Sequence, residues 1–245
     1  MIDLSSVVGE GWSSNTDFCT WTGVACSRSG SSSSLVVTNI TLSDYGISDP
    51  SVFSSLCLLD TLLSLDLSRN NLASLGDKFS TTYCRMKEGL LLLNLSSNQL
   101  LSDKLSEFCG LPQLEVLDLS FNLFLFTDGN LSPDLSSFPR LRIFNLSHNH
   151  LSGSVPSDLS QLSELEILDL SYNDLSGKVP SSLGSLQSLA QLVLSHNHLS
   201  GSVPASFRQN VEIYIDGNPD LINHTVIKNQ PHKRRAHNFV VVIIL

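Results

Sequence analysis

The chain has 245 residues, a formal net charge of −9 and 41% hydrophobic residues, enough for one or two compact domains. Its acidic balance disfavours nucleic acid or an anionic polymer as a partner. No phosphate-binding loop, G-x-S-x-G elbow, H-E-x-x-H pair or kinase signature (Gly-rich loop, H-R-D, D-F-G) occurs, so the sequence offers no catalytic residues and calls for no cofactor.

In chain order, the predicted elements are short strands in one recurring frame. It is faint in "NITLSDYGI" from Asn39 and clear in "SLDLSRNNL" from Ser64, "LLNLSSNQL" from Leu92, "VLDLSFNLF" from Val116 and "IFNLSHNHL" from Ile143. It continues through "LDLSYNDLSGKVP" from Leu168 and "QLVLSHNHL" from Gln191 to "EIYIDGNPDL" from Glu212. In each copy two apolar residues flank one outward position, the period-two pattern of a strand with one buried face. Leu168 and Leu170 are expected to point in and Asp169 out. One such strand cannot bury its apolar face alone, so each copy needs neighbours above and below. The first apolar strand position falls at 40, 65, 93, 117, 144, 168, 192 and 213. This spacing in the twenties covers nearly the whole chain and predicts a single solenoid.

Two further features fit stacked coils. Asn70, Asn98, Asn122, Asn149, Asn173 and Asn197 stand where each coil leaves its strand and exposes backbone groups that need partners, which an amide ladder is expected to supply. The extension L-S-G-x-V-P occurs at Leu151–Pro156, Leu175–Pro180 and Leu199–Pro204. Its glycine permits unusual backbone angles and its proline cannot donate to a ladder, so the pair is expected to steer the chain off the sheet.

These repeats with their L-S-G-x-V-P extension resemble the plant-type leucine-rich repeat ectodomains of receptor-like kinases and receptor-like proteins. "GWSSNTDFCTWTGVACS" (11–27) is similar to the N-terminal cap of that family. The resemblance implies an α/β solenoid: a right-handed, horseshoe-like superhelix with one parallel β-sheet on its concave side and short 3-10 or irregular return segments. The expected organisation is a cap over 1–34, seven to eight repeats over 35–222, a basic juxtamembrane-like tail over 223–238 and, over 239–245, the start of a truncated transmembrane helix. The opening "MIDLSSVVGEG" has neither a basic n-region nor a long apolar run, so no signal peptide is expected in this chain. The closing apolar run is far shorter than the roughly 20 residues that span a bilayer. Membrane association is expected only through that segment, and any kinase domain beyond residue 245.

The resemblance also implies a disulfide between Cys19 and Cys26, in keeping with an oxidising compartment. Pairing among Cys57, Cys84 and Cys109, about one coil apart, stays open; no C-x-x-C suggests zinc. Sequons at Asn39, Asn94, Asn130, Asn145 and Asn223 lean toward a glycoprotein, although "NLS" also falls naturally inside the repeat. The His148/His150 and His196/His198 doublets lie two coils apart, roughly 10 Å, too far to share one metal ion.

Binding is the function left. The outward row between the strand leucines is mostly the family's default Asp or Asn and says little about a ligand. Two residues beyond the second strand leucine runs a row of larger side chains, among them Phe121, His148, Tyr172 and His196. These four are the candidate ligand-binding residues, with Tyr172 as a flat anchor and the imidazoles as donors to an extended, acidic peptide. The expected role is a non-catalytic extracellular recognition module, at the plasma membrane or secreted, that binds through the concave face or the sheet edge. Its partners would be a protein or peptide ligand and a co-receptor ectodomain. The alternative is a secreted leucine-rich repeat inhibitor of cell-wall-degrading enzymes.

Overall fold

The computed structural model describes residues 12, 16–28, 34–79, 84–102, 105–108, 110–125 and 135–222. The sequons at Asn130 and Asn223, Cys109, and the tail and membrane segment expected over 223–245 lie outside them.

The period-two frames become three-residue strands. After β1 (Val24–Arg28) and β2 (Leu35–Thr41) come β3 (Ser64–Asp66), β4 (Leu92–Asn94), β5 (Val116–Asp118), β6 (Ile143–Asn145), β8 (Ile167–Asp169), β10 (Gln191–Val193) and β12 (Glu212–Tyr214). They form one nine-stranded sheet in the order β1-β2-β3-β4-β5-β6-β8-β10-β12. Every pairing is parallel except that of β1 with β2. The frames stack without slippage: Leu65 sits against Leu93, Leu93 against Leu117, and Leu192 against Leu168 and Ile213. A one-residue slip would turn every leucine of a coil to the wrong face, so the pattern fixes the register.

Behind this sheet the strand leucines and the return-segment leucines form one continuous core running from Trp12 to Leu221. Four phenylalanines from successive coils, Phe53, Phe79, Phe108 and Phe124, make a spine inside it with centroids 5.1, 6.1 and 6.2 Å apart. Helix α1 (Val52–Leu56), helix α2 (Gly76–Phe79) and short 3-10 turns complete the coils.

The structure has the parallel sheet that the resemblance implies and adds a second one, built from return segments expected to be irregular. The L-S-G-x-V-P segments do not simply leave the sheet; they form β7 (Ser152–Ser154), β9 (Asp174–Lys178) and β11 (His198–Ser202). With β13 (Asp220–Ile222) these make a four-stranded parallel sheet in the order β13-β11-β9-β7. Gly153, Gly177 and Gly201 sit inside these strands at φ 80°, 75° and 83°. At those angles a glycine bends the strand where a side chain would be strained, and the proline that follows ends it.

The cap closes the other end of the large sheet. Trp12 and Trp21 lie buried with ring centroids 4.9 Å apart, and the Trp21 indole N–H donates to the Thr16 hydroxyl at 2.7 Å. The Cys19–Cys26 disulfide ties the 3-10 turn Phe18–Thr20 to β1, as the resemblance implies. A second disulfide, Cys57–Cys84, joins the end of α1 to the next return segment, settling a pairing the sequence leaves open. Among the described residues no helix is long and apolar enough to cross a membrane, and no group of three or more His, Cys, Asp or Glu could hold a metal ion.

Candidate functional site

Strands β3, β4, β5, β6 and β8 each end in a turn whose backbone the recurring frame residues satisfy locally. The outward Asp or Asn accepts from the backbone N–H two residues on: Asp66 from Ser68, Asn94 from Ser96, Asp118 from Ser120, Asn145 from Ser147 and Asp169 from Ser171, at 2.8 to 3.0 Å. From Asn94 onward the serine hydroxyl donates to the same oxygen at 2.6 to 2.8 Å. The row is therefore consumed by its own turns and leaves little for a ligand. Asp169 does face away from the core leucines, but at 3% exposure it is not the solvated residue that alternation predicts. Burial likewise pushes the Asp118 carboxyl up; bonds from Ser120 and Asn145 oppose this and like charge on Asp66 adds to it.

The frame asparagine then closes the turn. The Asn173 amide donates to the Leu146 and Leu170 carbonyls at 3.0 and 3.1 Å and accepts from the Leu151 N–H at 3.0 Å. Asn70, Asn98, Asn122, Asn149 and Asn197 repeat this, joined by Asn218, a rung the sequence reading omits. The amides bond the backbone of their own and the neighbouring coil, as the sequence leads one to expect of a ladder that satisfies the turns.

Just before each frame asparagine, and before Tyr45 in the first copy, the backbone turns left-handed. Asp44, Arg69, Ser97, Phe121, His148, Tyr172 and His196 have φ between 54° and 68°, uncommon for residues other than glycine. Each is held there by an N–H bond to the next coil: Phe121 to the Ser147 carbonyl at 3.0 Å, and His148 and Tyr172 to those of Ser171 and Ser195 at 2.9 Å. These angles send the side chains outward along the edge formed by the strands' C-terminal ends. There Phe121, His148, Tyr172 and His196 stack face to face, with centroids 4.0, 4.1 and 4.2 Å apart and planes within 12°, 10° and 19°.

The four candidate residues thus come together as one ladder. It ends at Gly217, which occupies the next rung at φ 75°; a Cβ there would lie 2.6 Å from His196 Nδ1, so the imidazole packs on bare backbone. Phe121 and Tyr172 remain 52% and 46% exposed. One expectation needs correction: both faces of Tyr172 are covered by imidazoles, so it cannot serve as a flat anchor. The ladder presents ring edges, imidazole nitrogens and a phenol hydroxyl instead. Their placement at one frame position in four successive copies is the sequence signal for the ladder; the left-handed backbone that aligns them leaves no such signal.

The sequons differ in setting. Asn39 lies on β2 and Asn94 at the end of β4, both half-buried. Asn145 is 7% exposed, and its amide donates to Asp118 Oδ2 at 3.3 Å while its oxygen holds Ser147.

Comparison with known proteins bears on this architecture directly. The Leucine Rich Repeat family model matches residues 140–162, 164–186 and 188–210. Across 144 residues, 59% of this chain, the sequence is 36% identical to receptor-like protein kinase BRI1-like 3 of Arabidopsis thaliana. Three of its coils match the leucine-rich repeat model, and the chain is similar in sequence to a plant receptor-like kinase. The leucine-rich repeat ectodomain of the Arabidopsis receptor kinase HAESA, solved with an N-terminally extended IDA peptide hormone, superposes with a TM-score of 0.65 at 29% identity over 91% of this chain. Pollen Receptor Kinase 3 gives 0.57 at 26% identity, covering 89% of this chain and 90% of its own. The match spans only 12% of BRI1-like 3 and 39% of the HAESA chain.

Proposed function

We propose that this leucine-rich repeat chain is a non-catalytic extracellular recognition module of a plasma-membrane receptor-like protein, one that binds an extended peptide or a partner ectodomain along the C-terminal edge of its large sheet. The observation that carries this reading is the Phe121–His148–Tyr172–His196 stack. It sets four large side chains along the sheet edge in fixed orientation, three of them exposed and His148 half-buried, so little side-chain entropy remains to be lost on binding. The neighbouring Asp/Asn row is engaged by its own turns, which leaves the ladder as the chemically available strip. The peptide hormone in the HAESA complex supports a peptide as the partner class, and the similarity to receptor ectodomains favours this reading over the inhibitor alternative. Two disulfides fit an oxidising location, and glycans are assigned to Asn39 and Asn94.

Random peptides displayed on phage and selected on the immobilised chain supply a probe, and hydrogen exchange of the complex locates it. Added protection is expected in the turns around 118–125, 145–151, 169–175 and 193–199. A footprint confined to β7, β9, β11 and β13 would rule the edge out.

A further inference from the structure

The ring ladder is one rung short, and the residues around the gap define what fits it. Arg69, Ser97 and Phe121 occupy the same position in three successive coils. Strands β3, β4 and β5 stack in register, Arg69 N–H bonds the Ser96 carbonyl at 2.9 Å, and Ser97 N–H bonds that of Ser120 at 2.8 Å. All three share nearly one φ, 54° to 55°, so each projects its side chain along the same edge. From Phe121 to His196 every rung is a ring stacked at 4.0 to 4.2 Å. At Ser97 the rung is a hydroxymethyl group. Phe121 is stacked by His148 on one face, and no ring among the described residues meets the other; at 52% it is more exposed than Tyr172. Across the gap stands exposed Arg69, with no carboxylate partner among the described residues.

Neighbouring strands lie about 4.8 Å apart, so two coils separate Phe121 from Arg69 by roughly 10 Å. One ring in contact with Phe121 on one side and with the guanidinium on the other needs about 3.5 to 4 Å to each. The slot therefore has the thickness of one aromatic ring. An aliphatic side chain would leave the Phe121 face poorly covered, whereas a ring continues the existing geometry and gains a cation–π contact from Arg69.

We propose that the gap over Ser97 receives an aromatic side chain of the bound polypeptide, sandwiched between Phe121 and Arg69 as the missing rung. This deepens the edge-binding reading and rests on it for the partner class. The slot itself is tested with N-acetyl-tyrosinamide, whose outcome does not depend on any peptide binding elsewhere on the edge. In NMR titrations of the whole chain the Phe121 ring signals should shift saturably with this probe. N-acetyl-leucinamide should shift them at least about fivefold less for the same concentration.

Ser97→Tyr should abolish the effect by filling the slot from within and should raise the melting temperature, because Tyr172 already adopts the same backbone angles. Should that variant fail to fold, Arg69→Gln and Phe121→Ala, both at exposed positions, serve instead; Arg69→Gln should weaken the response about threefold, and Phe121→Ala, followed through the ring signals of neighbouring His148, about tenfold. Absence of a saturable shift in the wild-type chain, or an equal response to the leucine probe or in the variants, overturns the proposal. If displayed peptides still need His148, Tyr172 and His196 while the probe fails, the slot alone is discarded. If the probe binds and those peptides do not need the ladder, the slot stands and the wider edge reading falls.

Discussion

Replacing Asn173 with alanine should destabilise the solenoid by roughly 2 to 4 kcal/mol, and the structure shows where this comes from. The Leu151 N–H, buried in the turn, loses its acceptor at 3.0 Å, and an orphaned buried donor costs about 1 to 3 kcal/mol. The two carbonyls fare better. Leu146 keeps the Asn149 amide at 3.1 Å and Leu170 keeps the Asn197 amide at 2.9 Å, so each loses one partner of two and adds a smaller increment. Asn173→Asp retains the acceptor but sets a carboxylate against both carbonyls, and should be at least as damaging. Next in sequence, Asp174 is exposed and its nearest ionic partner, His198, lies 3.8 Å away. Asp174→Ala should therefore stay within about 0.5 kcal/mol of wild type. Urea unfolding followed by far-ultraviolet circular dichroism measures all three. An Asn173→Ala chain as stable as Asp174→Ala would refute the claim that inter-coil amide bonds hold the turns.

Three other outcomes follow from named contacts. Burial raises the Asp118 carboxyl, so the folded state favours its protonated form; that contribution is intact below the unfolded carboxylate range and is lost as pH rises through the folded value. Asp118→Asn, which keeps the acceptor role that Asn94 and Asn145 already play, should thus gain most on wild type near neutral pH and lose that gain on acidification; a gain that grows toward acid in thermal melts would contradict this. Gly23→Ala should cost at least about 2 kcal/mol in the same melts, because its Cβ would lie 2.1 Å from the Thr41 carbonyl oxygen at φ 82°, and a neutral result would mean the cap does not approach β2 so closely. Glycopeptide mapping of secreted chain should find Asn145 unmodified, since a glycan would have to displace its bonds to Asp118 and Ser147; full occupancy there would show that this turn opens before modification.

The solenoid is legible because leucine placement alone fixes both the strand phase and the inter-coil register. The second sheet is not: Ser152-Gly153-Ser154 has the composition of a turn, and only the neighbouring coil, with an identical bend, turns it into a strand. Alternation rightly sets Asp169 opposite Leu168 and Leu170. Its burial escapes sequence reading because alternation fixes the face a side chain takes and not how far that face is covered. The Cys57–Cys84 bond escapes for a like reason, since a separation of 27 residues measures one coil of chain and not a distance in space. The four ladder residues can be picked out from their shared frame position, whereas their stacking follows from left-handed backbone angles that sequence patterns assign to glycine or asparagine.

The central claim is that the ladder edge carries recognition, and affinity tests it most directly. Peptides selected on the wild-type chain should be titrated by calorimetry against the wild type and against the triple replacement of His148, Tyr172 and His196 by alanine, with folding of the variant checked by its circular dichroism. The account predicts at least about a tenfold loss of affinity in the triple variant. Affinities within twofold of each other, in a chain that is still folded, would contradict it.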